Sequence, residues 1–295
     1  MLEQAKRGRI SLPENGVEIA TLDFGGRGPL ALLHHANGFC AAIWEPVALA
    51  LARHFHVVAM DARGHGHSTK PAGAEAYHWG WFGRDAIGVA EALCQQHAAP
   101  RIALGLGHSF GGTALVTASA QRPELFERLV LVDMIAPPRP GSELEALRRA
   151  RGNPFAEGAR KRNAVWPSRE AAAEKWRGKE LFADWTPRAF ELYLAEGLLD
   201  RPDGRVELAC RPEIEAAIFE ANGSLDVLEL ASKVRVPALV LWARAGDFPY
   251  THFENLASQM AASELRVADA GHLVPMEKPE LVVREALRFA QRSTG

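Results

Sequence analysis

The 295-residue chain carries only three cysteines, Cys40, Cys94 and Cys210. Odd in number and widely spaced, they make neither a disulfide framework nor a Cys-x-x-Cys metal pair, and a reducing compartment suits them best. No apolar run approaches the length of a membrane span. Residues 1–9 lack the apolar stretch of a secretory signal, so a cytoplasmic location is expected. An excess of one charge is missing too, since 34 Lys and Arg against 36 Asp and Glu leave a net charge of −2. That balance offers no electrostatic footprint for nucleic acid, and a small molecule is the expected partner. There is no internal repeat and no low-complexity tract. No His-Glu-x-x-His helix occurs, so neither a metal nor a cofactor is expected.

What remains is ample for a buried core: 47% of the residues are hydrophobic and 24% charged. Residues 10–23 read as a hairpin turning at Pro13-Glu14-Asn15-Gly16. Short apolar runs follow at 30–33, 56–60, 102–106 and 129–132, with helical patterns at 44–53 and 82–97 between them. Strand alternating with helix predicts a mostly parallel sheet covered on both faces. After Val132 the texture changes, and residues 141–225 read as several short helices without a convincing strand. The strand pattern resumes at 237–242 and 265–267, and a closing helix is expected over 279–291. The simplest organisation is a core in two parts, 1–136 and 226–295, interrupted by a helical cap over 137–225.

Within the core, Gly107-His108-Ser109-Phe110-Gly111 stands between an apolar strand and a helix start. A serine on a sharp strand-to-helix turn needs flanking residues without side chains, which is the nucleophile-elbow pattern. A serine hydroxyl is a poor nucleophile until a base removes its proton, and the base needs an orienting carboxylate. His272, in a Gly-containing loop after the last strand, is the base candidate. Asp247, in the loop after the strand at 237–242, is the preferred acid because it gives the order Ser109, Asp247, His272. Asp133, directly after the strand at 129–132, is the competing acid. Donors for a developing oxyanion are expected from the Phe110 N–H and from the Asn37 N–H in His34-His35-Ala36-Asn37-Gly38-Phe39. His34 and His35 are expected to be buried and to shape that loop. In Asp61-Ala62-Arg63-Gly64-His65-Gly66-His67-Ser68, Asp61 and Arg63 are expected to fix neighbouring loops rather than to bind metal.

With these residues in place, the chain resembles the α/β-hydrolase fold family, in its serine-nucleophile, cap-bearing members. The resemblance rests on the 61–68 loop, the elbow at Ser109 and Gly271-His272, and it covers nearly the whole chain. It implies an eight-stranded, mostly parallel sheet with the active site beneath the cap. Two departures matter. The loop between Trp242 and Asp247 is one residue longer than the commonest pattern. His35-Ala36-Asn37-Gly38 replaces the family's common His-Gly, and its Asn resembles the loop of haloalkane dehalogenases. Those enzymes and the related epoxide hydrolases use an aspartate where this chain has Ser109, which argues against both activities.

The chemistry expected is hydrolysis of a carboxylic ester with an apolar or aromatic part, through an acyl-enzyme on Ser109. A carbon–carbon bond hydrolase or a lactonase would keep the same triad, and a ligand-binding receptor would keep the same fold. Aromatic residues of the cap, among them Trp166, Trp176, Trp185 and Tyr193, are expected mainly to pack it onto the core. Arg160-Lys161-Arg162 is expected to be a solvated helix face.

Overall fold

The computed structural model describes Leu2 and residues 5–291. Met1, Glu3, Gln4 and residues 292–295 lie outside the described residues, and with them part of the leader reading and both extreme ends of the two-part core.

Eleven strands run in chain order among the described residues. They are β1 (Lys6–Leu12), β2 (Val17–Gly25), β3 (Leu30–His34), β4 (His56–Met60), β5 (Leu104–His108), β6 (Leu129–Val132), β7 (Val165–Trp166), β8 (Leu198–Asp200), β9 (Val206–Leu208), β10 (Ala238–Ala243) and β11 (Ser263–Ala268). Eight form one sheet in the order β1-β2-β4-β3-β5-β6-β10-β11. The β1–β2 and β2–β4 pairs are antiparallel, and every later pair is parallel. Strands β3, β5 and β6 are buried at every residue. This is why they read as unbroken apolar runs, since a parallel sheet is covered on both faces.

The helices of the first half are α1 (Glu45–Leu51), α2 (Trp79–Gln96) and α3 (Phe110–Gln121). Helix α3 is buried over its first ten residues and is made almost wholly of small or apolar residues, as a helix against the middle of a sheet must be. The segment between β6 and β10 holds α4 (Glu143–Arg151), α5 (Pro154–Arg160), α6 (Arg169–Arg177), α7 (Pro187–Glu196), α8 (Pro212–Glu220) and α9 (Val227–Lys233). The chain closes with α10 (Tyr250–Gln259), α11 (Val274–Glu277) and α12 (Pro279–Ala290).

The inserted segment differs from the all-helical reading. Strands β7, β9 and β8 pair antiparallel in a separate three-stranded sheet. None is longer than three residues, too short for a period-two pattern to show in the sequence. An aromatic cluster joins this segment to the core. Trp176 stacks on Phe182 and Tyr193, while Phe39 of the core lies 5.6 Å from Trp185 and 5.4 Å from Tyr193 between ring centres.

The 61–68 loop does the fixing expected of it. The Asp61 carboxylate accepts the Ala41 and His67 N–H groups at 2.7 and 2.9 Å. The Arg63 guanidinium is fully buried and meets Asp85 of α2 through two bonds, of 2.6 and 2.8 Å. It also donates to the Ala76 carbonyl at 3.0 Å. A charge taken this far from water is tolerable only when paired and hydrogen-bonded, and Arg63 is both.

Candidate active site

At the C-terminal end of β5, the chain turns sharply into α3. Ser109 takes φ +54° and ψ −123°, a conformation that costs a residue with a side chain about 1–3 kcal/mol. Its neighbours make the turn sterically feasible. A Cβ on Gly111 would lie 2.4 Å from the His34 carbonyl oxygen and 2.5 Å from that of His35. A Cβ on Gly107 would come within 2.6 Å of the Gly111 carbonyl and the Gly112 Cα. The glycines are therefore required by the approach of α3 to β3 and β5 as much as by the turn.

His272 stands in the loop after β11, and its Nε2 lies 3.0 Å from Ser109 Oγ. On the other side, its Nδ1 lies 2.7 Å from Asp133 Oδ2. The carboxylate can only accept, so Nδ1 carries the proton and Nε2 turns its lone pair to the serine hydroxyl. Asp133 directly follows β6 with φ +42°, is 1% exposed, and accepts the Ala243 N–H on Oδ1 at 2.8 Å.

Asp247, the acid expected from the sequence, is not brought to His272. Asp247 is exposed, and no hydrogen bond or ion pair joins it to His272. The loop after β10 reaches the site with its backbone instead. Its Ala243 N–H caps the Asp133 carboxylate, and a Cβ on Gly246 would lie 2.9 Å from Asp133 Oδ2. The competing acid, Asp133, is the one brought to His272.

Two residues that the sequence reading missed hold the base in place. The Glu277 carboxylate accepts the Gly271 N–H at 2.6 Å and the Leu273 N–H at 3.2 Å, gripping the loop on both sides of His272. His108, inside the elbow itself, has Nε2 at 2.8 Å from the His272 carbonyl. Burial pushes the His108 pKa well down, so the ring is neutral and Nε2–H donates to that carbonyl. Glu277 sits five residues beyond His272, where a carboxylate able to fold back on the loop was the available signal.

The Phe110 N–H opens α3 and has no partner within the helix. Across from it, the 34–39 loop has spent some of its donors, because Gly38 N–H donates to His65 Nε2 at 3.0 Å and Phe39 N–H to the Ala36 carbonyl at 3.3 Å. Among the described residues no protein acceptor takes the Asn37 N–H. The Asn37 side chain donates to the Glu215 carbonyl of α8 at 3.1 Å, tying the loop to the inserted segment. His34 and His35 are fully buried as expected. His35 Nδ1–H donates to the Ala36 carbonyl and Nε2 accepts the Ala62 N–H, which uses both nitrogens of a neutral ring. Burial pulls the pKa of His35 down to about 4 and that of His34 to about 3.

Arg162 departs from the solvated face expected of the 160–162 run. It turns inward, pairs with Glu215, and donates to Tyr193 Oη at 2.7 Å. The Tyr193 hydroxyl in turn donates to the Gly38 carbonyl at 3.1 Å. Arg160 keeps to the surface in an ion pair with Glu220.

Comparison with known proteins agrees with the fold. A 2-(acetamidomethylene)succinate hydrolase of Mesorhizobium japonicum is 35% identical over 122 residues, 41% of this chain and 40% of that protein. A putative carbamate hydrolase of Rhizobium rhizogenes is 27% identical over 275 residues, covering 88% of this chain and 91% of that one. Among solved structures, a thermophilic esterase from Thermogutta terrifontis superposes with a TM-score of 0.72 at 26% identity, over 98% of this chain and 100% of that one. An E-2-(acetamidomethylene)succinate hydrolase reaches a TM-score of 0.80 at 22% identity, over 98% and 100%. No described helix is long and apolar enough to cross a membrane. The model of the Alpha/beta hydrolase family matches residues 31–285, a span that takes in Ser109, Asp133 and His272, and the chain is an enzyme belonging to that family.

Proposed function

We propose that the enzyme cleaves a carboxylic ester by acyl transfer to Ser109 and then to water. The observation that carries this reading is the unbroken chain from Ser109 Oγ to His272 Nε2 at 3.0 Å and from His272 Nδ1 to Asp133 Oδ2 at 2.7 Å. Ser109 Oγ attacks the carbonyl carbon while His272 Nε2 takes its proton. The tetrahedral oxyanion is held by the Phe110 and Asn37 N–H groups. His272 returns the proton to the departing alcohol, leaving the acyl group on Ser109. Water then attacks, His272 takes a proton from it, and Ser109 leaves protonated as the acid departs. The Asp133 carboxylate stabilises the imidazolium that forms twice per turnover.

Phe39, Trp185 and Tyr193 pack on one another at the 34–39 loop, and such apolar surroundings suit a substrate with an apolar or aromatic group. The names of similar proteins support carbonyl chemistry with water, since they include a putative carbamate hydrolase, a putative esterase/lipase and an enol-lactonase. A fluorophosphonate reagent followed by peptide mass spectrometry tests the reading. Labelling confined to Ser109, lost in Ser109→Ala and His272→Ala, is expected, together with turnover of aryl esters that both variants lose. A folded protein that is neither labelled nor active on esters overturns it.

A further inference from the structure

At the end of the sheet away from Ser109, three side chains from separate elements converge. His56 opens β4, Asp23 stands near the end of β2, and His97 caps the C-terminus of α2. One ligand atom from each lies within 4.8 Å of the others. The rings of His56 and His97 are 4.3 Å apart between centres.

The hydrogen bonding around His56 is what distinguishes this group from an ordinary surface cluster. Nδ1 lies 3.2 Å from the Gly26 carbonyl, so it carries the proton and donates there. In the neutral ring Nε2 then presents a lone pair, yet it faces Asp23 Oδ1 at 2.8 Å, lone pair toward lone pair. Nε2 is buried and makes no hydrogen bond despite that short distance. Asp23 Oδ1 already accepts the Gly25 N–H at 2.8 Å, which fixes the carboxylate. A metal ion taken up by both in place of a proton satisfies nitrogen and oxygen, once they part to roughly 3.3–3.5 Å. One ring nitrogen on a backbone carbonyl and the other turned toward a second candidate ligand is also the orientation of a metal-binding histidine.

We propose that Asp23, His56 and His97 form a binding site for a divalent transition metal, with Zn²⁺ the best match to two imidazoles and one carboxylate. A tetrahedral Zn²⁺ with bonds of about 2.0–2.2 Å spaces its donors by roughly 3.3–3.5 Å. The separations here, from 2.8 Å to within 4.8 Å, bracket that spacing. Asp23 and His56 are half-buried and His97 is exposed, so the fourth position opens to water. Because the ligands come from β2, β4 and the end of α2, the ion clamps that helix to the antiparallel edge of the sheet. The site sits at the N-terminal end of β4, whereas Ser109 and His272 follow the C-terminal ends of β5 and β11, so its role is structural.

The test is calorimetric titration of the full chain, without a histidine tag, with ZnCl2. One ion per chain is expected, with a melting temperature raised by several degrees once Zn²⁺ exceeds its dissociation constant about 100-fold. His97→Ala and Asp23→Asn should each bind at least tenfold more weakly and lose that rise, while keeping the wild-type metal-free melting temperature and ester turnover. The ring-nitrogen NMR signals of His56 and His97 should shift together on adding Zn²⁺. Absence of binding by the wild type, or equal binding by wild type and both variants, overturns the proposal. So does a Zn²⁺-induced shift that spares His56 and His97.

Discussion

Asp133 is held from every side, and its neighbours define what it can do. Its backbone N–H donates to the Leu241 carbonyl at 2.8 Å, one carboxylate oxygen caps the Ala243 N–H, and the other meets His272. Aspartate is among the few residues that adopt a positive φ readily, so the turn after β6 tolerates it and aims the carboxylate along the strand ends. The consequence is separable by mutation. Asp133→Asn should lower kcat by about 10³–10⁴-fold by removing the orientation and charge that His272 needs, while Asp247→Asn should stay within about twofold of wild type in kcat/KM. Steady-state kinetics on an aryl ester decide this, and the reverse pattern would return the acid to Asp247. The strand–turn–helix around Ser109 was plain in the sequence because its requirements are local. Which of Asp133 and Asp247 lies beside His272 was not, because each follows a strand and only packing brings one of them there.

The elements show the same division at larger size. Strands β4 and β6 run over the residues their apolar runs predicted, 56–60 and 129–132, because burial on both faces leaves no polar residue inside them beyond His56 at the start of β4. The elbow strand is displaced from the predicted 102–106 to Leu104–His108. There a strand and a tight turn share residues that periodicity alone cannot divide. The three strands of the inserted segment escaped notice for want of length. At the junction of β5 and α3, the glycines carry a prediction of their own. Gly111→Ala should destabilise the protein by about 3 kcal/mol or more, since its methyl would meet two backbone oxygens that have no room to move. Urea unfolding measures it, and a change below about 1 kcal/mol would mean that α3 stands farther from β3 than described.

Over the whole molecule, buried histidines tie stability to pH. In the unfolded chain each protonates near pH 6.5, whereas folded His35 and His34 resist down to about 4 and about 3. Burial pushes His65 and His108 in the same direction. Between these limits the unfolded state binds more protons, so the stabilisation is complete above pH 6.5 and is lost as pH falls. From pH 7 to pH 5, His34 and His35 together should cost about 2–4 kcal/mol. The urea midpoint should drop accordingly, and a midpoint constant over that interval would rule out neutral, buried rings at 34 and 35.

The alternation of strand and helix, and the strand–turn–helix that presents Ser109, came from the sequence alone. Each of these is written in contiguous residues, as apolar runs, glycine spacing or a loop motif. Packing set Asp133 beside His272, brought Glu277 and His108 against the 271–273 loop, and turned Arg162 inward to Glu215 and Tyr193. Those relations join residues tens to more than a hundred positions apart, or turn on which way a loop folds back. They are set by how backbone groups and buried charges find partners once the elements have packed, and no local pattern records that outcome.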